Sequence, residues 1–330
     1  MANDSLKKTA IKEGGWTLQL GDCIPHMECE MAENSIDFSV FSPPFPSLYA
    51  YTSSEADVGN VDSVDGEASL HLSFFYRRLL RVLKPGRVAM VHVAQIPRMK
   101  RSGETGLCDF RGLNIRIAER AGFVFEYDWT VRKNPQSQAI RTRSRELQFS
   151  GLENDRAASR GALPDYLLKF RKPGVNAVAI QSIGQVSRNQ WIEWAEHSWS
   201  DIRETDTLNA REGKGEDDTK HICPLQLGVI DRLVRLYSNP GELVFSPFAG
   251  IGSEGFISLK LDRQFYGIEL KPEYFAAACK NLRRVEANKQ AAVAMSLFDK
   301  DDACGEPVAE VAGVAASVSA SDGGQYFSDL

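Results

Sequence analysis

Two stretches of this chain place residues that do chemistry close together. In the first, Ile36-Asp37-Phe38-Ser39-Val40-Phe41 leads directly into Ser42-Pro43-Pro44-Phe45-Pro46. Consecutive prolines fix φ and remove backbone donors, leaving rigid carbonyl acceptors at the C-terminal end of a strand, where ligands bind in open α/β sheets. One hydroxyl and one aromatic ring stand beside them. Such a corner suits methylation of an exocyclic base amine, a poor nucleophile because its lone pair is delocalised into the ring. The Ser42 hydroxyl and the Pro43 carbonyl can hold the amine hydrogens and stabilise positive charge as nitrogen bonds to carbon. Phe45 can stack on the base. In a duplex that nitrogen is buried, so the nucleotide must swing out. For Pro-Pro alone, a plain turn is the competing reading.

The second stretch is Leu243-Val-Phe-Ser-Pro-Phe-Ala-Gly-Ile-Gly-Ser-Glu-Gly255, a β run followed by glycines at 250, 252 and 255 and an apolar helix. Glycines there let the backbone turn sharply and bring a ligand against amide N–H groups at the positive end of the helix. A further strand ends in Gly267-Ile268-Glu269, whose carboxylate is placed to hold ribose hydroxyls. The pattern fits Gly-x-Gly-x-x-Gly followed by an acid, the dinucleotide fingerprint. That fold, however, puts this loop on its first strand, and only one plausible strand comes after it here. The missing strands must come from earlier in the chain, which implies a permuted order.

Together the two motifs resemble the β-class DNA amino-methyltransferases, which use S-adenosylmethionine to modify cytosine N4 or adenine N6. The likeness covers Trp16 to Asn288 and implies a Rossmann-like α/β methyltransferase fold. Its mixed, mainly parallel seven-stranded sheet would run in circularly permuted order, with an inserted target-recognition region. By this resemblance Ser42, Pro43, Pro44 and Phe45 form the catalytic corner. Ser246, Pro247, Phe248, Ala249, Gly250 and Gly252 flank the methionine part of the cofactor, and Glu269 takes the ribose. Asp22, in Leu20-Gly21-Asp22-Cys23, matches the acid near the adenine amine, with a helix cap as the plain alternative. His221-Ile222-Cys223-Pro224-Leu225 falls where the family has a cofactor-flanking motif. Ser246 departs from the family's usual Asp before Pro-Phe, and Glu254 is a candidate to compensate. Ser at position 42 resembles the cytosine-N4 branch, with adenine N6 as the alternative. Chain order and content also resemble methylases of bacteriophages and prophages and of restriction-modification systems.

The elements that must position these motifs can be read from hydrophobic periodicity. Strands are expected at Trp16 to Leu20, Ile36 to Phe41, Val88 to Val93, Phe123 to Thr130, Tyr166 to Phe170, Leu243 to Ser246 and Phe265 to Glu269. Helices are expected at Ser69 to Leu83, ending at Lys84-Pro85-Gly86, at Leu225 to Tyr237, and at Pro272 to Asn288, which opens on proline. The expected organisation is an N-terminal extension over 1–15, a methyltransferase domain over 16–290 with recognition within 134–220, and a disordered acidic tail over 291–330.

The 330 residues are 43% hydrophobic and 25% charged, proportions of an ordinary globular chain, which excludes disorder throughout. No apolar run suits a membrane span and no secretory signal stands out, so a cytoplasmic protein is expected, and the resemblance implies a bacterial host cell. Six cysteines without a Cys-x-x-Cys pair fit neither a disulfide framework nor a zinc module, and no metal is expected. Net charge is −5. Seven acids between Asp299 and Asp329 against Lys300 put that stretch at −6, which leaves the remainder near +1.

From Arg98 to Lys172 sixteen basic residues face nine acidic ones. Arg132, Lys133, Arg141, Arg143 and Arg145 come one after another with no acid between, a stripe that can track the phosphates of double-stranded DNA. Trp191, Trp194 and Trp199 read as packing. Oligomeric state, monomer or homodimer, stays open. Two rivals stand beside methyl transfer. A nicotinamide-dependent oxidoreductase explains Gly250 to Glu269 but leaves Ser42 to Phe45 without a role; a non-catalytic DNA-binding relative is motivated by Ser246.

Overall fold

The computed structural model describes residues 9–46, 57, 66–98, 106–142, 152–157, 159–181, 185–208 and 224–301. Its strands are β1 (Ala10–Glu13), β2 (Trp16–Leu20), β3 (Ile36–Phe41), β4 (Leu83–Ala94), β5 (Ile96–Pro97), β6 (Leu107–Cys108), β7 (Val124–Val131), β8 (Asp165–Arg171), β9 (Ser198–Trp199), β10 (Leu243–Ser246) and β11 (Gln264–Glu269). All but the β5–β6 pair join one nine-stranded sheet in the order β1-β2-β11-β10-β3-β4-β8-β7-β9. The pairs β2–β11, β11–β10, β10–β3 and β3–β4 are parallel, while β8 runs antiparallel to both β4 and β7. The last strands of the chain thus sit between β2 and β3, the permuted order that the position of the glycine loop requires.

Every residue of β3 is buried, as expected of a central strand covered on both faces. Helix α1 spans Cys23–Cys29, α2 Glu67–Val82, α3 Phe110–Ala121, α4 Pro135–Thr142, α5 Arg188–Trp194, α6 Leu227–Tyr237, α7 Ser253–Lys260 and α8 Pro272–Asp301. Alternation along β3 sends Phe41 into one core with Phe75, Leu79 and Phe110 of α2 and α3. Phe38 and Val40 enter the opposite core with Val229, Ile230 and Leu233 of α6 and Ile257 of α7. Each fully buried side chain of this kind contributes about 1.5–3 kcal/mol, so the two layers clamp the sheet that carries both motifs.

Several expectations need correction. The sheet has nine strands rather than seven; the seven expected are its inner members, and the short β1 and β9 are added at its two edges. Part of the expected N-terminal extension, Ala10–Glu13, pairs antiparallel with β2. Lys84-Pro85-Gly86 does not close α2 with a loop: β4 begins directly at Leu83, with Gly86 at φ +73°. Helix α8 runs on to Asp301, into the stretch expected to be a disordered tail. By its contacts the chain divides into residues 1–289 and residues 290–330. Among the described residues no helix is long and apolar enough to cross a membrane.

Candidate active site

Strands β3 and β10 are direct parallel neighbours, with Val244 opposite Phe38 and Phe245 opposite Ser39. The Ser39 hydroxyl donates to the Phe245 carbonyl at 3.0 Å and pins this register. Both strands end at one edge of the sheet, so the segments leaving β3 and β10 must meet there. Phe41 and Phe248 bring their ring centroids to 5.8 Å, and Phe75 backs Phe248 at 5.0 Å. The Ser42-Pro43-Pro44-Phe45 corner and the glycine turn are therefore joined through an aromatic contact. Pro43 is buried, and the half-buried Phe45 rests against Phe110 at 5.5 Å.

The turn itself is built on left-handed backbone. Gly250 has φ +53° and Gly252, which precedes α7 without a side-chain cap, has φ +85°. The Gly250 N–H donates to Glu269 Oε2 at 2.7 Å and the Lys271 N–H to Oε1 at 2.8 Å. Gly255 does another job. A Cβ there would stand 2.5 Å from Cδ1 of Phe265, so this glycine lets α7 lie against β11 and offers nothing to a ligand. Pro247 and Ala249 are buried. The Ser246 hydroxyl is fully buried with no hydrogen-bond partner, a cost that a bound polar group would remove.

The carboxyls at this edge are buried and desolvated, which favours their protonated forms. Burial pushes the Glu269 carboxyl up to about 7 against the pull of three backbone N–H groups, and Asp57 adds like charge. Burial also pushes Glu254 up to about 8, with Glu269 contributing repulsion. Asp22 lies just beyond β2, which pairs with β11; the next residue back, Gly21, donates its N–H to the Glu269 carbonyl at 2.8 Å. Asp22 Oδ1 accepts the Ile24 N–H at 2.9 Å and caps α1, and burial raises its carboxyl. Buried carboxyls, an orphaned hydroxyl and a backbone turn make a donor set that fits a ligand bearing ribose hydroxyls and cationic groups. S-adenosylmethionine has both.

Sequence reasoning missed the groups behind Ser42. His92 on β4 brings Nδ1 to 3.1 Å from Ser42 Oγ, which also donates to the His92 carbonyl at 3.2 Å. His92 Nε2 lies 2.9 Å from Asp165 Oδ2, close but without the alignment of a hydrogen bond. Lys133 Nζ closes on the same carboxylate at 2.5 Å. These residues come from four separate segments, so no local spacing links them. The one signal was a histidine inside the apolar run Val88-Ala-Met-Val-His-Val93.

Of the expected basic stripe, Lys133 is turned inward, and several other cations between Arg98 and Lys172 are paired within the protein. Lys133 is buried in its pair with Asp165 and cannot face a phosphate, which corrects its reading as a DNA contact. Lys169 and Arg171 both bind Glu126, and Arg111 binds Asp128. Arg132 is exposed. Arg141 lies at the end of α4, and Arg143 and Arg145 fall outside the described residues, as do His221 and Cys223. Within 134–220, β8 joins the central sheet, as expected for Tyr166 to Phe170. Trp194 and Trp199 are core residues with Arg232 over both rings, while Trp191 is exposed on α5.

The profile of the DNA methylase family, which covers N6 and N4 enzymes, matches residues 36–280, and the chain belongs to this family. The Type II methyltransferase M1.MboII of Moraxella bovis is 37% identical over 68 residues, 21% of this chain and 26% of that protein. M.BglI of Bacillus subtilis, also a Type II methyltransferase, is 28% identical over 132 residues, 38% of this chain and 33% of the relative. The chain thus matches about a quarter to a third of the length of these curated relatives. Among solved structures, the PvuII DNA methyltransferase (cytosine-N4-specific) superposes with a TM-score of 0.60 at 19% identity, covering 84% of this chain and 89% of that one. A DNA modification methylase of Thermus thermophilus, TTHA0409, solved with S-adenosyl-L-methionine, gives 0.61 at 22% identity over 81% and 95% of the two chains. These two likenesses concern the fold.

Proposed function

We propose that this protein transfers a methyl group from S-adenosylmethionine to an exocyclic amine of a base in double-stranded DNA, at cytosine N4, with adenine N6 as the second reading. The observation that carries the reading is the seating of Ser42-Pro43-Pro44-Phe45 beside the Gly250 turn, on adjacent parallel strands.

The cofactor supplies a methyl group on a sulfonium. Glu269, once ionised, accepts the ribose hydroxyls, and its two hydrogen bonds to backbone N–H groups fix its plane. Ser246 and Glu254 take the amino group of the methionine part, in place of the family's usual Asp. Phe248, Ala249, Gly250 and Gly252 shape the wall against which that part lies, with Pro247 rigid before them. Asp22 is assigned to the adenine amine. At the other side, Ser42 Oγ and the Pro43 carbonyl accept the N–H groups of the target, drawing its nitrogen toward tetrahedral geometry and stabilising the charge it gains. Phe45 stacks on a base flipped out of the duplex. Preference for cytosine rests on the serine at position 42. Arg132, with Arg141, Arg143 and Arg145, is assigned to the phosphate backbone. A place in a restriction-modification system in the cytoplasm of a bacterial cell, or in a phage that infects one, goes with this reading.

The test is transfer of labelled methyl groups to mixed-sequence duplex DNA, then digestion to nucleosides and mass identification of the product. N4-methylcytosine is expected. N6-methyladenine would select the second reading. No transfer, together with calorimetric binding of NAD rather than S-adenosylmethionine, would overturn both in favour of the oxidoreductase.

A further inference from the structure

Methyl transfer to an exocyclic amine leaves a proton that must go somewhere, and the catalytic corner contains no base among Ser42, Pro43, Pro44 and Phe45. Behind Ser42, however, the structure carries a ready path. Its hydroxyl has two acceptors within reach, His92 Nδ1 at 3.1 Å and the His92 carbonyl at 3.2 Å, but only one hydrogen to give. With His92 neutral and Nε2 protonated toward Asp165, the Ser42 hydrogen points to Nδ1 and the serine lone pairs face the target. With His92 as imidazolium, Nδ1–H donates to Ser42 Oγ and the serine hydrogen turns to the backbone carbonyl. Both protonation states keep the Ser42 Oγ–Nδ1 hydrogen bond at the same separation, so a proton can pass between these two atoms along one line.

We infer that His92, held by Asp165, is the positioning residue that orients Ser42 and receives through it the proton released by the methylated amine. The inference rests on the methyl-transfer reading. In the transfer itself, the amine nitrogen bonds the methyl carbon as the carbon–sulfur bond breaks, and the positive charge of the sulfonium moves to nitrogen. One N–H bond then breaks: its proton goes to Ser42 Oγ as the serine hydrogen goes to Nδ1. The product amine is neutral, the imidazolium holds the charge, and water later removes the proton.

Among the described residues, the charged groups facing His92 are Asp165, from β8, and Lys133, just beyond β7. Asp165 stays ionised, because His92 and Lys133 hold its carboxyl below the usual range despite burial. It is therefore a carboxylate that faces Nε2, and Lys133 is the second partner that holds it in place. The off-line approach of Nε2 to Asp165 is of the kind that tightens once substrate is bound.

The test is single-turnover methyl transfer measured against pH for the wild type, His92→Gln and His92→Ala, with cofactor affinity by calorimetry and thermal unfolding run in parallel. The wild type is expected to lose rate toward acid as His92 charges. His92→Gln is expected to transfer about 10²-fold more slowly and to lose that acidic limb, with cofactor affinity unchanged. Imidazole in the buffer is expected to restore part of the rate of His92→Ala, which a merely structural histidine would not allow. Should His92→Gln not fold, Asp165→Asn provides the second route: without the carboxylate the acidic limb is expected to move to lower pH. Wild-type transfer with an unaltered pH profile in His92→Gln, or an unmoved limb in Asp165→Asn, overturns the relay while methyl transfer stands. No transfer by the wild type overturns the reading beneath it.

Discussion

Glu269 Oε2 accepts the backbone N–H of Gly250 at 2.7 Å, tying the end of β11 to the turn after β10. The same carboxyl is buried enough to hold its proton up to about 7, and its neighbour Glu254 holds one up to about 8. In the unfolded chain both would ionise near 4.5. Between these limits the folded protein binds more protons than the unfolded one, so the stability these groups supply is full below about 4.5 and is lost as pH rises through about 7 to 8. For Glu269 the rise from 4.5 to about 7 corresponds to about 3 kcal/mol. Thermal unfolding without cofactor is expected to show Tm falling from about pH 5 to about pH 8.5, and less steeply in Glu269→Gln. Affinity for S-adenosylmethionine runs the other way, since ribose hydroxyls need the ionised carboxylate. Calorimetry is expected to show tighter binding at about pH 8 than at about pH 6, and a binding curve flat with pH in the wild type would count against Glu269 as the ribose acceptor.

Two glycines of one motif are expected to fail differently. A Cβ at Gly255 meets the Phe265 ring and the Leu282 side chain, so Gly255→Ala overpacks the α7–β11 contact and is expected to cost about 1–3 kcal/mol of stability. At Gly250 a Cβ meets nothing within 4 Å, but φ is +53° and the backbone faces the proposed ligand. Gly250→Ala is expected to weaken cofactor binding with a smaller loss of stability than Gly255→Ala. Denaturant unfolding and calorimetry on both variants separate the two effects.

The inner sheet was legible because its seven strands carry β-branched and aromatic residues bounded by breakers, even where, as in the fully buried β3, Asp37 and Ser39 interrupt the apolar run. The order of those strands was legible from one fact, that a single plausible strand follows the glycine loop while the others precede it. The features that escaped are set by tertiary pairing. Ala10–Glu13 has no apolar pattern of its own and becomes a strand only by docking on β2. Lys133 looked like part of a basic stripe because its partner Asp165 is distant in sequence and only the β7–β8 ladder brings the two together. His92 likewise gains its chemistry from contacts with Ser42 and Asp165 that no spacing encodes.

Ser246 separates ligand binding from folding. Its buried hydroxyl has no protein partner, so Ser246→Ala removes an unpaired polar group and is expected to leave stability unchanged or slightly higher. The same change is expected to weaken S-adenosylmethionine by about fivefold, the worth of one hydrogen bond near ~1 kcal/mol. Ser246→Asp, which restores the residue usual in the family, buries a carboxyl where the hydroxyl already has no partner, and is expected to lower Tm without ligand. Equal cofactor affinity for wild type and Ser246→Ala would remove Ser246 from the site.

Adjacent residues Arg132 and Lys133 give the cleanest contrast on the DNA side. Lys133 is buried against Asp165, so Lys133→Ala strands a buried carboxylate and is expected to cost about 3–5 kcal/mol of stability. Arg132 is exposed, so Arg132→Ala is expected to leave unfolding within about 0.5 kcal/mol of the wild type. If it contacts a phosphate, its loss weakens duplex binding about evenly across sequences and reduces the slope of log affinity against log salt by about one. Fluorescence anisotropy over a salt series measures that slope, and an Arg132→Ala slope equal to the wild type would remove this arginine from the DNA-facing surface.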